Sequence, residues 1–445
     1  MQRLVLAVAL IVGALLRIDA VGRLYPATED SKGDVQRYYV STAESLVKGR
    51  GFETSYEYNF IPPPLQALYL ATVKLVLPAA DLGTMRAGQA LISVATLLIV
   101  YRLGLLMSGA MLGAWSALVI ALDPDVVGLV STLLAETWFF FLLLSFACLL
   151  LVAEQRRAPT WYAGAGVTLG LTCLTKPFPM LLACFIPAWV LLRGRDRGAR
   201  RGAVAFVVGF TLIVAPWTAR NALRYHGFYP ISTNGGVLLA QSNFAGLDPT
   251  RADMIYWEDL RTRAEWRAPA IEAKYAEQRD ADGKLEWNRR DRDYAQHARR
   301  FILHNPVRFL GMYAVKLRNV LWYPSPDEPP DRLRYTALGE HWPFPAFRQV
   351  LVALGLLGVA WFAVDKRNSP SLIMVCVFGY FWLFSALLHI TRDGRINLPL
   401  KVILSVFAAY FVLQLGSLCS RYGARLLRAR GPTDREAQCR DAGHA

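Results

Sequence analysis

Long apolar runs separated by short polar stretches recur along nearly the whole chain, and their lengths predict helices that cross a bilayer rather than the core of a soluble domain. A helix needs about 20 apolar residues to cross roughly 30 Å of hydrocarbon. Ten runs are read as spans: Leu4–Val21, Ala87–Met107, Met111–Ala121, Leu133–Ala153, Trp161–Thr175, Phe178–Leu192, Val204–Trp217, Val350–Val364, Leu372–His389 and Val402–Cys419. Two more, Leu65–Leu77 and Val307–Trp322, are marginal: Pro62, Pro63 and Pro64 precede the first, and Arg308, Lys316 and Arg318 interrupt the second. The pattern predicts an all-α polytopic membrane protein, a single membrane domain over 1–445, with about ten transmembrane helices and two interfacial or re-entrant ones.

Composition agrees: 54% of the 445 residues are hydrophobic and mean hydropathy is +0.29, too apolar for a soluble chain of this length. The formal charge of +15 sits in short clusters between apolar runs and in the tail, with no basic stripe interleaved with aromatics, which argues against nucleic acid. Such clusters orient a membrane protein. With the two marginal runs at the interface, Arg102, Arg156 and Arg157, the 193–201 cluster, Lys366 and Arg367, and the basic tail 421–445 all fall on the cytoplasmic side. The opposite side, expected to be periplasmic, then holds a first loop (22–64), the segment Asp123–Glu136, the corner Lys176-Pro177, a long loop subdomain (220–347) and the turn Thr391–Lys401. Trp161, Trp217, Trp322 and Trp342 fit an interfacial belt. The six cysteines have neither disulfide-framework nor metal-site spacing.

On that outer rim lie the residue types that group transfer from a membrane lipid needs. Asp34, beyond the first span, can take a proton from a hydroxyl while its substrate stays anchored in the bilayer; read alone, it could also be a solvated loop acid or a helix cap. Glu136, at the mouth of a span, costs a few kcal/mol unless it faces water, a cation or a partner. Lys176 ends a short apolar run and needs an anion at that depth, which a polyprenyl phosphate supplies; an ordinary snorkelling lysine is the alternative. Arg220, Arg392 and Arg395 offer planar forks suited to phosphate, although Arg395 could instead pair with Asp393.

The order of Asp34, Arg37-Tyr38, Gly49-Arg50-Gly51 and Pro63-Pro64-Leu65 resembles the first outer loop of the GT-C membrane glycosyltransferases, in particular bacterial relatives of protein O-mannosyltransferases and lipid A aminoarabinose transferases. Leu174-Thr175-Lys176, Trp217-Thr218-Ala219-Arg220, Ile231 to Gly236 and Arg392 to Pro399 are similar to later landmarks of that family. The resemblance implies Asp34 and Glu136 as catalytic acids. It implies substrate contacts from Arg37, Tyr38, Lys176, Arg220, Arg392 and Arg395. A divalent cation shared by the acids is left open, and no soluble nucleotide is expected. One departure stands out: Asn59-Phe60-Ile61 leads into the prolines where the aminoarabinose transferases have a lysine, which weakens the case for a lipid A-like acceptor.

The expected activity is inverting transfer of a sugar from a polyprenyl-phosphate-linked donor to a hydroxyl acceptor at the periplasmic face of a bacterial inner membrane. Two rivals share the polytopic architecture. A transporter or flippase would show inverted repeats and midplane charges. An O-antigen ligase or polymerase-like enzyme would rely on loop arginines and a histidine, for which His297 and His304 are available.

Overall fold

The computed structural model describes residues 1–22, 35–194, 196–248, 250, 266–322, 344–367, 369–388 and 394–429. Their architecture is helical, with isolated bridges in place of strands among the described residues. The long helices are α1 (Gln2–Gly22), α4 (Leu82–Ser108), α7 (Glu136–Arg156), α8 (Pro159–Thr175), α10 (Arg197–Tyr225), α15 (Phe344–Asp365), α16 (Ile373–Leu388) and α17 (Gly394–Ala429). Between them lie α2 (Ser41–Val47), α3 (Leu65–Val76), α5 (Ala110–Leu122), α6 (Pro124–Gly128) and α9 (Leu182–Arg193). The long loop adds α11 (Gly235–Ser242), α12 (Pro269–Tyr275), α13 (Asn288–His304) and α14 (Pro306–Trp322).

Every apolar run read from the sequence contains a helix, but among the described residues fewer than ten are full spans. Among those residues, seven helices are long and apolar enough to cross, or eight if α5 and the segment Pro124–Ser131, bent by 60°, form one span. The difference is length. At 1.5 Å per residue, α8 with 17 residues and α9 with 12 rise only about 25 and 18 Å.

Helix ends follow local chemistry. The carboxylate of Asp81 accepts from Thr84 N at 2.8 Å and starts α4, and Asp196 accepts from Ala199 N at 2.9 Å to start α10. Helix α7 begins at Glu136, three residues later than the apolar run suggests, because Leu133 sits at φ 51° and breaks the helical path.

Glycines let helix backbones approach, as packing inside lipid favours. A Cβ on Gly166 of α8 would lie 2.1 Å from Phe206 O of α10, and one on Gly209 of α10 would lie 2.3 Å from Ala163 O of α8. Gly358 of α15 meets Phe407 O of α17 in the same way, at 2.0 Å.

Antiparallel α7 and α8 divide the bundle into two ends. At one end, Gln155 reaches Leu106 O at 3.2 Å, Trp189 reaches Glu154 at 3.4 Å and Arg193 reaches Ser369 O at 3.4 Å, so the basic turns read as cytoplasmic gather together. The other end holds the loops. Trp217 there is no belt residue: it is 8% exposed and its indole N–H donates to Ile231 O at 2.7 Å, which draws the ring inward to tie the long loop to α10.

The first loop is bound to the long loop. Tyr58 bridges Leu285, Asn59 N donates to Leu285 O at 3.0 Å and Leu285 N to Glu57 O at 2.9 Å. Asn59 Oδ1 accepts from Trp287 N at 2.6 Å and Asn288 N at 3.2 Å. The residue at the departure from the family pattern therefore turns inward to cap α13. A small apolar cluster with Val237, Phe244, Trp266 and Tyr294 gives the long loop its own core.

Candidate functional site

The loop end brings Glu136 and Lys176 together. Glu136 opens α7, Lys176 caps the C-terminus of α8, and the Lys176 Nζ lies 2.9 Å from Glu136 Oε1. The carboxylate side chain is 3% exposed and the lysine side chain 27%. The lysine thus meets a buried acid while part of its own side chain stays exposed.

The backbone ahead of Glu136 is held in place. Leu133 is left-handed, a conformation that costs a leucine about 1–2 kcal/mol, and two buried amides stabilise the turn: Gln66 Nε2 donates to Leu133 O at 2.7 Å and Gln89 Nε2 to Leu134 O at 3.0 Å. Val35, with Ala43, Leu70, Met85 and Leu133, forms one apolar cluster. The chain immediately following Asp34 is therefore packed against the turn that leads into Glu136.

Val35–Val40 forms a wide helical turn running into α2. From it Arg37 lies 5.8 Å over the Tyr56 ring, and Tyr38 packs edge-on against Tyr56 at 4.9 Å and against Phe60 at 4.8 Å. Asp34 and Arg392 lie outside the described residues; Arg395 falls in the first turn of α17, and its side chain is likewise outside them.

Arg220, near the C-terminus of α10, stands in an aromatic cradle 4.9 Å from the Trp217 ring, 5.3 Å from Tyr225 and 5.7 Å from Phe52. It donates to Asn221 Oδ1 at 3.0 Å and Phe52 O at 3.4 Å. Helices α8 and α10 run parallel with Gly166 beside Phe206 and Gly170 beside Ile213. Carrying that register toward the loops sets Lys176 level with the Trp217 to Arg220 stretch.

A second buried ionic centre escaped sequence reasoning. Asp125 Oδ2 accepts from both Arg348 of α15 and Lys401 of α17, the latter at 3.1 Å, while Asp123 caps Asp125 N at 2.9 Å. Arg17 of α1, fully buried, donates to Ser93 Oγ at 2.7 Å and Gly13 O at 3.0 Å. An arginine inside the first apolar span was a signal in itself. Its side-chain partner Ser93, on another helix, gave none.

Buried Lys316 of α14 donates to Ser242 O at 2.9 Å and Asn243 Oδ1 at 3.0 Å. His304 bonds Arg300 O at 2.8 Å within its own helix, α13. Among the described residues, no three His, Cys, Asp or Glu side chains converge as a metal site would need.

The profile of the family described as dolichyl-phosphate-mannose-protein mannosyltransferase matches residues 55–231, a stretch that includes Glu136, Lys176 and Arg220. No curated protein sequence matches the chain. Solved structures do. The oligosaccharyltransferase of Archaeoglobus fulgidus in its apo form has a TM-score of 0.55 at 16% identity, covering 97% of this chain and 52% of its own. The oligosaccharyltransferase AglB from the same organism, in complex with an inhibitory peptide and a dolichol-phosphate, has a TM-score of 0.52 at 16% identity over 95% of this chain and 52% of its own. The chain spans about half the length of these enzymes. ArnT from Cupriavidus metallidurans bound to undecaprenyl phosphate is also similar, with a TM-score of 0.40 at 15% identity over 92% of this chain and 77% of that one.

Proposed function

We propose that this chain is a GT-C membrane glycosyltransferase, and that it transfers a sugar with inversion from a polyprenyl-phosphate carrier to a hydroxyl acceptor at the periplasmic face of a bacterial inner membrane; the family match over 55–231 and the shared fold support this. One observation supports this above the others: Lys176 is paired with buried Glu136 yet partly open, at a helix end where a lipid phosphate would lie. An archaeal protein of the same fold was solved with a dolichol-phosphate, a ligand of the class proposed here.

Asp34 takes the proton of the acceptor hydroxyl as its oxygen attacks the anomeric carbon. The bond from that carbon to the phosphate oxygen breaks, and its electron pair leaves with the phosphate. Lys176 stabilises the growing negative charge there, with Arg392 and Arg395 as further cations; donors aimed at charge that develops in the transition state are worth several kcal/mol each. Glu136 fixes the ammonium, which is a positioning role. Arg37 and Tyr38 face the acceptor side.

The test is sugar transfer in membranes supplied with a polyprenyl-phosphate-linked radiolabelled sugar. Loss of a general base costs about 10²–10⁴ in rate, so Asp34→Asn should lose transfer on that scale and Lys176→Gln should fall at least comparably. Full transfer by Asp34→Asn would remove Asp34 as the base. Mass spectrometry showing unchanged glycans and lipid-linked sugars in cells lacking the protein would remove the transferase reading.

A further inference from the structure

A cleft of about 550 Å³ opens between the first loop, the end of α10 and the turn before α13, within the size range of small-ligand sites. Four basic residues line it, Arg50, Arg220, Arg224 and Lys284, against three acids, Glu53, Asp280 and Asp282. Two of the acids are already engaged. Asp282 is paired with Arg224, and Asp280 Oδ1 accepts from the backbone of Asp282 at 3.0 Å and Lys284 at 2.9 Å, closing its own turn.

Arg220 and Lys284 are engaged differently. Their hydrogen bonds go to neutral oxygens: Lys284 Nζ to Thr54 O at 2.8 Å and Thr54 Oγ1 at 3.4 Å, and Arg220 to Phe52 O and Asn221 Oδ1. The two cations hold carbonyls two residues apart, so they stand within reach of one ligand. Burial lowers the Lys284 pKa although Asp280, Glu53 and Asp282 pull it the other way, so an anion bound beside the ammonium would favour its charged form. Phe52 and Phe60 line the same cleft and offer apolar faces against which a sugar ring can stack.

We propose that this cleft binds an acidic sugar of the acceptor, its carboxylate or phosphate held by Lys284 and Arg220 and its ring set against Phe52 and Phe60. The proposal rests on the transferase reading and specifies its acceptor: an anionic glycan. It assigns Lys284, on the long loop, to substrate selection.

The experiment titrates the purified full chain, without donor, with glucuronate, glucose 6-phosphate, glucose and inorganic phosphate, read by saturation-transfer NMR. Both acidic sugars should bind about tenfold or more tightly than glucose. Lys284→Gln should erase the preference, and Lys284→Arg should retain it. Arg220→Gln, read in the same way, keeps the test decisive should Lys284→Gln misfold by thermal unfolding. Equal binding of glucose and glucuronate, an unchanged preference in folded Lys284→Gln, or inorganic phosphate binding as tightly as glucose 6-phosphate would each overturn the proposal. With no donor present, those failures leave the transfer reaction standing, whereas a chain that binds acidic sugars and transfers nothing overturns the transfer reading, and with it the acceptor role of the cleft, but not its binding of acidic sugars.

Discussion

At the scale of single residues, the buried charges decide what each substitution does. Asp125 compensates both Arg348 and Lys401, whose side chains are 10% and 7% exposed. Removing one partner of a buried ion pair costs about 3–5 kcal/mol, because the other is left uncompensated. Asp125→Asn should therefore lower the melting temperature in detergent sharply, while Asp123→Asn, whose backbone cap an amide oxygen can still supply, should lower it less. The same logic explains which residues were legible from sequence. Glu136 and Lys176 announce themselves singly, as charges at the mouths of apolar runs, but their pairing depends on the antiparallel contact of α7 and α8. Arg348 and Lys401 look like ordinary rim cations until the fold brings Asp125 between them, across 223 and 276 residues.

At the scale of elements, backbone contact between helices is the feature most sensitive to small changes. Gly166→Ala would drive a methyl group into Phe206 O, and overpacking of this kind typically costs about 1–3 kcal/mol. Thermal unfolding should fall accordingly, whereas Gly164→Ala, with no atom nearer than 3.9 Å on the same helix, should be close to neutral. In the loop subdomain, α12 and α13 are joined where Asp293 accepts from Lys274 Nζ at 2.7 Å and Tyr275 Oη at 2.9 Å. Partial burial pushes the Asp293 carboxyl up, but these hydrogen bonds outweigh it and hold the group below the ordinary carboxylate range. A depressed carboxylate contributes stability that is present above its unfolded pKa of about 3.9 and is lost as pH falls through the folded value. Hydrogen exchange in α12 should accelerate below about pH 4, and Asp293→Asn should abolish that acid step.

Helix existence was readable from the apolar runs because each run is continuous, while ends were readable only where a cap is local. Asp81 and Asp196 are such caps. The start of α7 was missed because the left-handed Leu133 depends on Gln66 and Gln89, which lie on other helices. Trp217 was misread for a related reason: its hydrogen-bond partner, Ile231 O, belongs to a loop whose path the hydrophobic pattern does not encode.

At the scale of the whole molecule, α8 and α9 flank the corner that carries Lys176, and both are shorter than the hydrocarbon layer they cross or enter. Lipids beside that corner must compress or tilt to cover them, at a cost of fractions of a kcal/mol per Å of mismatch. A leaflet thinned in this way would bring its headgroups toward the lysine, where a long flexible carrier would pack at less cost than ordinary acyl chains. Reconstitution into vesicles of increasing acyl-chain length should lower transfer progressively while leaving acidic-sugar binding in the loop cleft unchanged. Equal transfer across chain lengths would mean that the protein does not reshape its lipid.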